Sequence, residues 1–161
     1  MIKSNSKIAV CAIIAAMYIV LTVGFAPISY GIIQFRIAEI LNLMAFINPI
    51  YGIGVIAGCF ISNLFSELGP IDWVVGTSAT AMAVFFIARS KSLLVASLWP
   101  TIFSGVMVGL MLTYLFQIPL ALSIASVSAG QFGVMTCVGF PVFRYMLKNK
   151  RLMAVLHSVK S

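Results

Sequence analysis

Acidic residues are nearly missing from this sequence: three Asp and Glu stand against ten Lys and Arg in 161 residues, and all charged residues together make up 8%. Soluble domains carry roughly a quarter charged residues, so a chain with 62% hydrophobic residues and a mean hydropathy of +1.15 has too little polar surface to face water. Histidine occurs once, at His157, past the last apolar run. The three cysteines, Cys11, Cys59 and Cys137, lie apart inside apolar runs, with neither metal-ligand spacing nor the pattern of a disulfide framework. They read as small buried hydrophobes. There is no G-x-S-x-G, no H-E-x-x-H and no G-x-x-x-x-G-K-[ST], which removes the usual signatures of serine hydrolysis, zinc proteolysis and P-loop ATP binding. Neither an enzyme nor a cofactor in this chain is expected.

What is present is a series of long apolar runs. They predict an all-α integral membrane protein of six transmembrane helices, in one domain covering residues 1–161. The spans are placed at about 8–26, 35–47, 50–65, 73–88, 93–116 and 119–148. Pro27 ends the first, and 27–34 reads as a loop and a candidate lid. Asn48-Pro49 breaks the short second run, because proline disfavours helix at the residue before it. Pro141 is expected to kink or end the last helix. The first run reads as a retained span, since Ala26-Pro27 is a poor cleavage context for a signal peptide.

The net charge of +7 would suggest nucleic acid as the partner of a soluble protein. Its distribution excludes that reading. Lys3 and Lys7, Arg89 and Lys91, and Arg144, Lys148, Lys150, Arg151 and Lys160 flank the runs, as juxtamembrane charges do. With six crossings of a cell membrane, all of them fall on the cytoplasmic side together with both termini. The outer side then receives Arg36 and every acid, Glu39, Glu67 and Asp72.

Polar residues at spanning depth need a reason, because a charge at mid-bilayer costs about 2.5 to 3.5 kcal/mol on the lenient insertion scale. Phe35, Glu39, Asn42 and Phe46 would share one face of a short α-helix, an acid and an amide between two aromatics. The bland alternative is that Arg36 and Glu39, three apart, pair at the interface. A second cluster, Asn63, Glu67, Asp72, Trp73 and Thr77, surrounds the hinge between the third and fourth runs. Here Asp72 is equally readable as a helix N-cap, Glu67 as an exposed loop residue and Trp73 as part of an interfacial belt. Tyr114, Gln117 and Gln131 complete the set, and Gln131, deep in the last run, must find a polar partner in protein or solute. Small residues four apart, Ala12 and Ala16, Gly54 and Gly58, Gly105 and Gly109, allow close helix approach. The glycine pairs suit internal packing, the alanine pair another protein. No inverted repeat of the kind many carriers have is visible.

Phe35-Arg36-Ile37-Ala38-Glu39, Asn48-Pro49, the stretch Gly58 to Ser66, and Leu68-Gly69-Pro70-Ile71-Asp72 with Gly76-Thr77 resemble the QueT family. These are substrate-binding S-components of energy-coupling factor (ECF) transporters for queuosine precursors. The likeness runs from the first span to Gly139-Phe140-Pro141. It implies an S-component-like bundle, a transmembrane coupling subunit and two cytoplasmic ATPases that use the ATP, and a 7-deazaguanine ligand. It also implies that Ala12 and Ala16, in an A-x-x-x-A pattern, dock on the coupling subunit. A glutamate would be expected where this chain has Gln131.

For such a base, adjacent N1–H and 2-amino donors suit one carboxylate, Glu39 first and Asp72 second. The O6 acceptor needs a donor from Arg36, Asn42, Asn63 or Gln131, and the ring a surface such as Phe35 or Trp73. An aminomethyl substituent would add a cation for Glu67 or an aromatic face. Rival readings remain open: a self-sufficient carrier, proton-coupled through Glu39 or Asp72, or a related S-component for a different vitamin; and an assembly protein that binds helices through the Ala12 and Gly105 faces.

Overall fold

The computed structural model describes residues 4–30 and 35–158, apart from the side chains of 4–6, 155, 157 and 158. Lys3, Lys160, the His157 side chain and positions 31–34 of the expected lid lie outside what is described. Every regular element among the described residues is helical.

Among the described residues four helices are long and apolar enough to cross a membrane: Lys7–Gly24 within α1 (Ser4–Gly24), α5 (Pro70–Arg89), α6 (Leu93–Phe116), and the stretch Leu120–Lys148. Two apolar helices are shorter, Ile37–Ile47 and Pro49–Asn63. The latter, α4, has 15 residues and so reaches about 22 Å, against about 30 Å of hydrocarbon. A four-residue helix α2 (Ala26–Ser29) follows α1.

The run expected as an α-helix over 35–47 is instead a 3-10 segment, Ile37–Leu43, leading into one α-turn, α3 (Met44–Ile47). The 3-10 period of three places Glu39 and Asn42 one above the other, so they share a face while Phe35 lies outside the helix altogether. Asn48 caps α4 by accepting from the Ile50 N–H at 3.1 Å, with Pro49 in the first turn where its missing N–H costs nothing.

Pro141 neither ends nor breaks its helix. The chain runs on from α7 (Leu120–Phe132) through a π segment, Gly133–Gly139, into α8 (Phe140–Lys148). Widening the turn ahead of proline removes the clash that its ring makes with a preceding carbonyl in a regular helix. Beyond it, α9 (Lys150–Ser158) folds back, and its Leu156 carbonyl accepts from the Tyr51 hydroxyl at 2.6 Å.

Close helix seams are built on glycine. A Cβ on Gly54 would lie 2.5 Å from the Cys11 carbonyl oxygen, and one on Gly58 2.8 Å from Tyr18 Cβ, so α4 seats directly on the α1 backbone. Gly109 does the same for α6 and α7, where a Cβ would meet Ile124 Cα at 2.9 Å. Both glycine pairs therefore serve internal packing. The opposite face of α1, with Ala12, Ile13, Ala16, Met17 and Val20, stays exposed and apolar.

Candidate functional site

The polar residues that the apolar runs cannot hide converge where α4, α5 and the 3-10 segment meet. Arg36 and Asp72 form a buried ion pair, Nη2 to Oδ2 at 3.1 Å and to Oδ1 at 3.4 Å. Arg36 Nη1 donates to Asn63 Oδ1 at 3.1 Å, and its Nε to the Ser29 carbonyl at 3.2 Å. One guanidinium thus ties α2, α4 and α5 together, using its fixed fork of donors. Asn63 returns through Nδ2 to the Asp72 carbonyl and to Thr77 Oγ1, both at 3.3 Å. Gly76 makes room for this, since a Cβ there would stand 2.7 Å from Asp72 Oδ1.

Two of the alternative readings fail against this geometry. Arg36 does not pair with Glu39; its partner is Asp72, 36 residues on, because the 3-10 turn carries Glu39 inward. Nor does Asp72 cap α5. The N-cap is Gly69, whose φ of 69° glycine tolerates without strain, and Asp72 stands inside the first turn with its carboxylate buried on Arg36. It still favours the positive end of the helix dipole.

Glu39 is 1% exposed and holds a second group of partners. Its Oε1 accepts from the Tyr18 hydroxyl at 2.8 Å and from Thr80 Oγ1 at 3.4 Å, and its Oε2 from Asn42 Nδ2. Cys59 joins the two groups: its Sγ lies 3.3 Å from Thr80 Oγ1 and 3.6 Å from Asn63 Nδ2. The polar path therefore runs from Asp72 in the first turn of α5 to Thr80, eight residues or about 12 Å deeper. In a medium of low dielectric such a path is tolerable only because each charge meets several partners.

Tyr18, Thr80, Cys59, Ser29 and Tyr30 went unmarked as site residues in the sequence. Tyr30 stacks its ring 5.5 Å from the Arg36 guanidinium and donates to the Ser62 carbonyl at 2.6 Å. Burial pushes its phenol above the ordinary range, with Arg36 opposing and Asp72 adding to the shift. It stays a neutral donor.

The remaining candidates stand apart from this network. Tyr114 is 73% exposed. Phe35 is partly exposed, its ring beside Gly133 at the start of the π segment. Trp73 is half-buried, and its Nε1 has no partner among the described residues. Asn42 Oδ1 and Gln131 Oε1 are likewise buried without a partner there. Glu67 is exposed and lines a cavity of about 380 Å³ together with Ala26, Pro27, Tyr30 and Phe65. No group of three or more His, Cys, Asp or Glu side chains that could hold a metal occurs among the described residues.

Comparison with known proteins gives this geometry a family. Residues 8–148 match the QueT transporter family. A stretch of 71 residues is 49% identical to the queuosine precursor transporter QueT of Lactococcus lactis subsp. cremoris (strain MG1363), covering 43% of this chain and 41% of that protein. No solved structure matches the chain. With most of its length matched and its helices long, apolar and repeated, the chain is a multi-pass membrane protein and belongs to the QueT transporter family.

Proposed function

We propose that this protein is the substrate-binding membrane subunit of an ATP-driven ECF importer, one that captures a queuosine precursor outside the cell and releases it inside. The ligand is a 7-deazaguanine base: the cyano form, the aminomethyl form or queuine. The reading rests on the family, on the name of the lactococcal relative, and above all on Glu39, a carboxylate held at depth beside an amide with a spare acceptor.

A deazaguanine presents N1–H and a 2-amino group side by side, and a carboxylate takes such a pair bidentately. Glu39 would exchange the long 3.4 Å contact from Thr80 for one of these donors. Asn42 Oδ1 and Gln131 Oε1 offer further acceptors, and Trp73 Nε1 a donor for O6. Arg36, Asn63 and Asp72 are each engaged by the others, with Asp72 as the second candidate acceptor.

In this reading all six apolar segments, in one domain, cross or enter the bilayer of the cell membrane, and both termini are cytoplasmic. The exposed face with Ala12 and Ala16 docks on the coupling subunit, and two cytoplasmic ATPases supply the energy. The test is a titration of the purified protein in detergent with queuine, its precursors, guanine and unrelated vitamins, followed by calorimetry and tryptophan fluorescence. Selective binding of a deazaguanine is expected. Glu39→Gln should cost about 1.5 to 3 kcal/mol of it, the value of a hydrogen bond to a charged group. Absence of binding in folded protein would remove the substrate; uptake into vesicles without ATPases, driven by a pH gradient, would favour the proton-coupled carrier.

A further inference from the structure

The cavity lined by Tyr30, Phe65 and Glu67 lies outside the Arg36–Glu39 network and has a chemistry of its own. Its volume, about 380 Å³, falls within the range of small-molecule sites. Among the described residues its walls are two aromatic rings, Pro27 and Ala26, with the Glu67 carboxylate beside them. Among the described residues Glu67 enters no ion pair. The nearby guanidinium of Arg36 does not neutralise it, being spent on Asp72, Asn63 and the Ser29 carbonyl.

The Tyr30 ring is pinned at its hydroxyl by the Ser62 carbonyl, so that wall is preformed. Phe65, 62% exposed, contributes a ring that packing in the bundle does not require. Aromatic faces with a lone carboxylate attract a compact cation, and the ring quadrupole adds to the charge where water is thinned. An anion would meet Glu67 unfavourably, and a neutral nitrile would gain nothing from it.

We propose that this vestibule binds a primary alkylammonium group, and hence that the amine-bearing precursor is selected over the neutral cyano form. The proposal rests on the substrate class given above and adds the group that discriminates within it. The ammonium donates to the Glu67 carboxylate and lies against the Tyr30 and Phe65 rings.

Paired titrations of the aminomethyl and cyano bases against wild type, Glu67→Gln and Phe65→Leu decide the matter. Glu67→Gln should weaken the aminomethyl base about two- to fivefold and leave the cyano base unchanged; Phe65→Leu should weaken the former about threefold. Equal change, or no change, for both ligands overturns the ammonium site while the substrate class stands. If neither base binds wild type, the substrate class fails, and benzylammonium titrated alone judges the vestibule. Saturable binding lost in Glu67→Gln supports the site, and no binding to wild type overturns it.

Discussion

The two halves of the chain differ in whether their buried polar groups join into a network. From α1 to α5, Tyr18, Arg36, Glu39, Asn63, Asp72 and Thr80 are bound to one another in a continuous path. From α6 onward no such path occurs among the described residues: Ser97 Oγ meets only Thr136 Oγ1 and the Leu94 carbonyl, and the Thr101, Ser123 and Gln131 oxygens are buried without partners, as are single atoms of Ser29, Asn42, Asn48 and Trp73 in the first half. The first half thus adds an electrostatic network to the glycine seam of α1 with α4, whereas the second rests on the glycine seam of α6 with α7.

The contrast breaks most readily at the ion pair. Arg36→Met or Asp72→Leu alone leaves an uncompensated buried charge and should cost about 3 to 5 kcal/mol, whereas the double variant should recover much of it. Thermal unfolding in detergent of the singles and the double measures this; singles as stable as wild type would mean the pair is not buried in the membrane. Gly109→Ala tests the other half. A Cβ at 2.9 Å from the Ile124 backbone should cost about 1 to 3 kcal/mol by overpacking, with deazaguanine affinity unchanged in whatever fraction stays folded. The smallest effect is expected at Gln131→Leu, which removes a buried unpaired acceptor. Stability should hold or rise by up to about 1 kcal/mol, while ligand affinity falls if the amide faces the base. Stability lost together with affinity would instead give Gln131 a structural partner.

Apolar runs and punctuation were legible in the sequence because they are local. The fifth run, 93–116, coincides with α6, and Asn48-Pro49 begins α4 as expected. Legible too was the gathering of Asn63, Asp72 and Thr77 near one hinge, since they lie close along the chain. The partner of Arg36 was not, because Glu39 is three residues away and Asp72 is brought in only by the fold of α5 over α4. Tyr18, Cys59 and Thr80 were invisible for a different reason. Each is an isolated residue of modest polarity within an apolar helix, and nothing but the third dimension shows that Tyr18 and Thr80 turn to the same carboxylate and Cys59 to Thr80. The 3-10 turn is equally hidden, since Ile37–Leu43 has the composition of an ordinary helix.

The π segment of the last long helix carries a consequence for the side chains on either side of it. A widened circuit accommodates about one residue more than the regular 3.6 per turn, which amounts to roughly 100° of angular phase. Gln131 before it and Phe143 after it both face inward, although they are twelve positions apart, a separation that a regular helix would bring round by about 120°. Gly133–Gly139 thus works as a phase shifter: it lets one rod present a polar amide to the interior at one level and an aromatic ring to the interior at another.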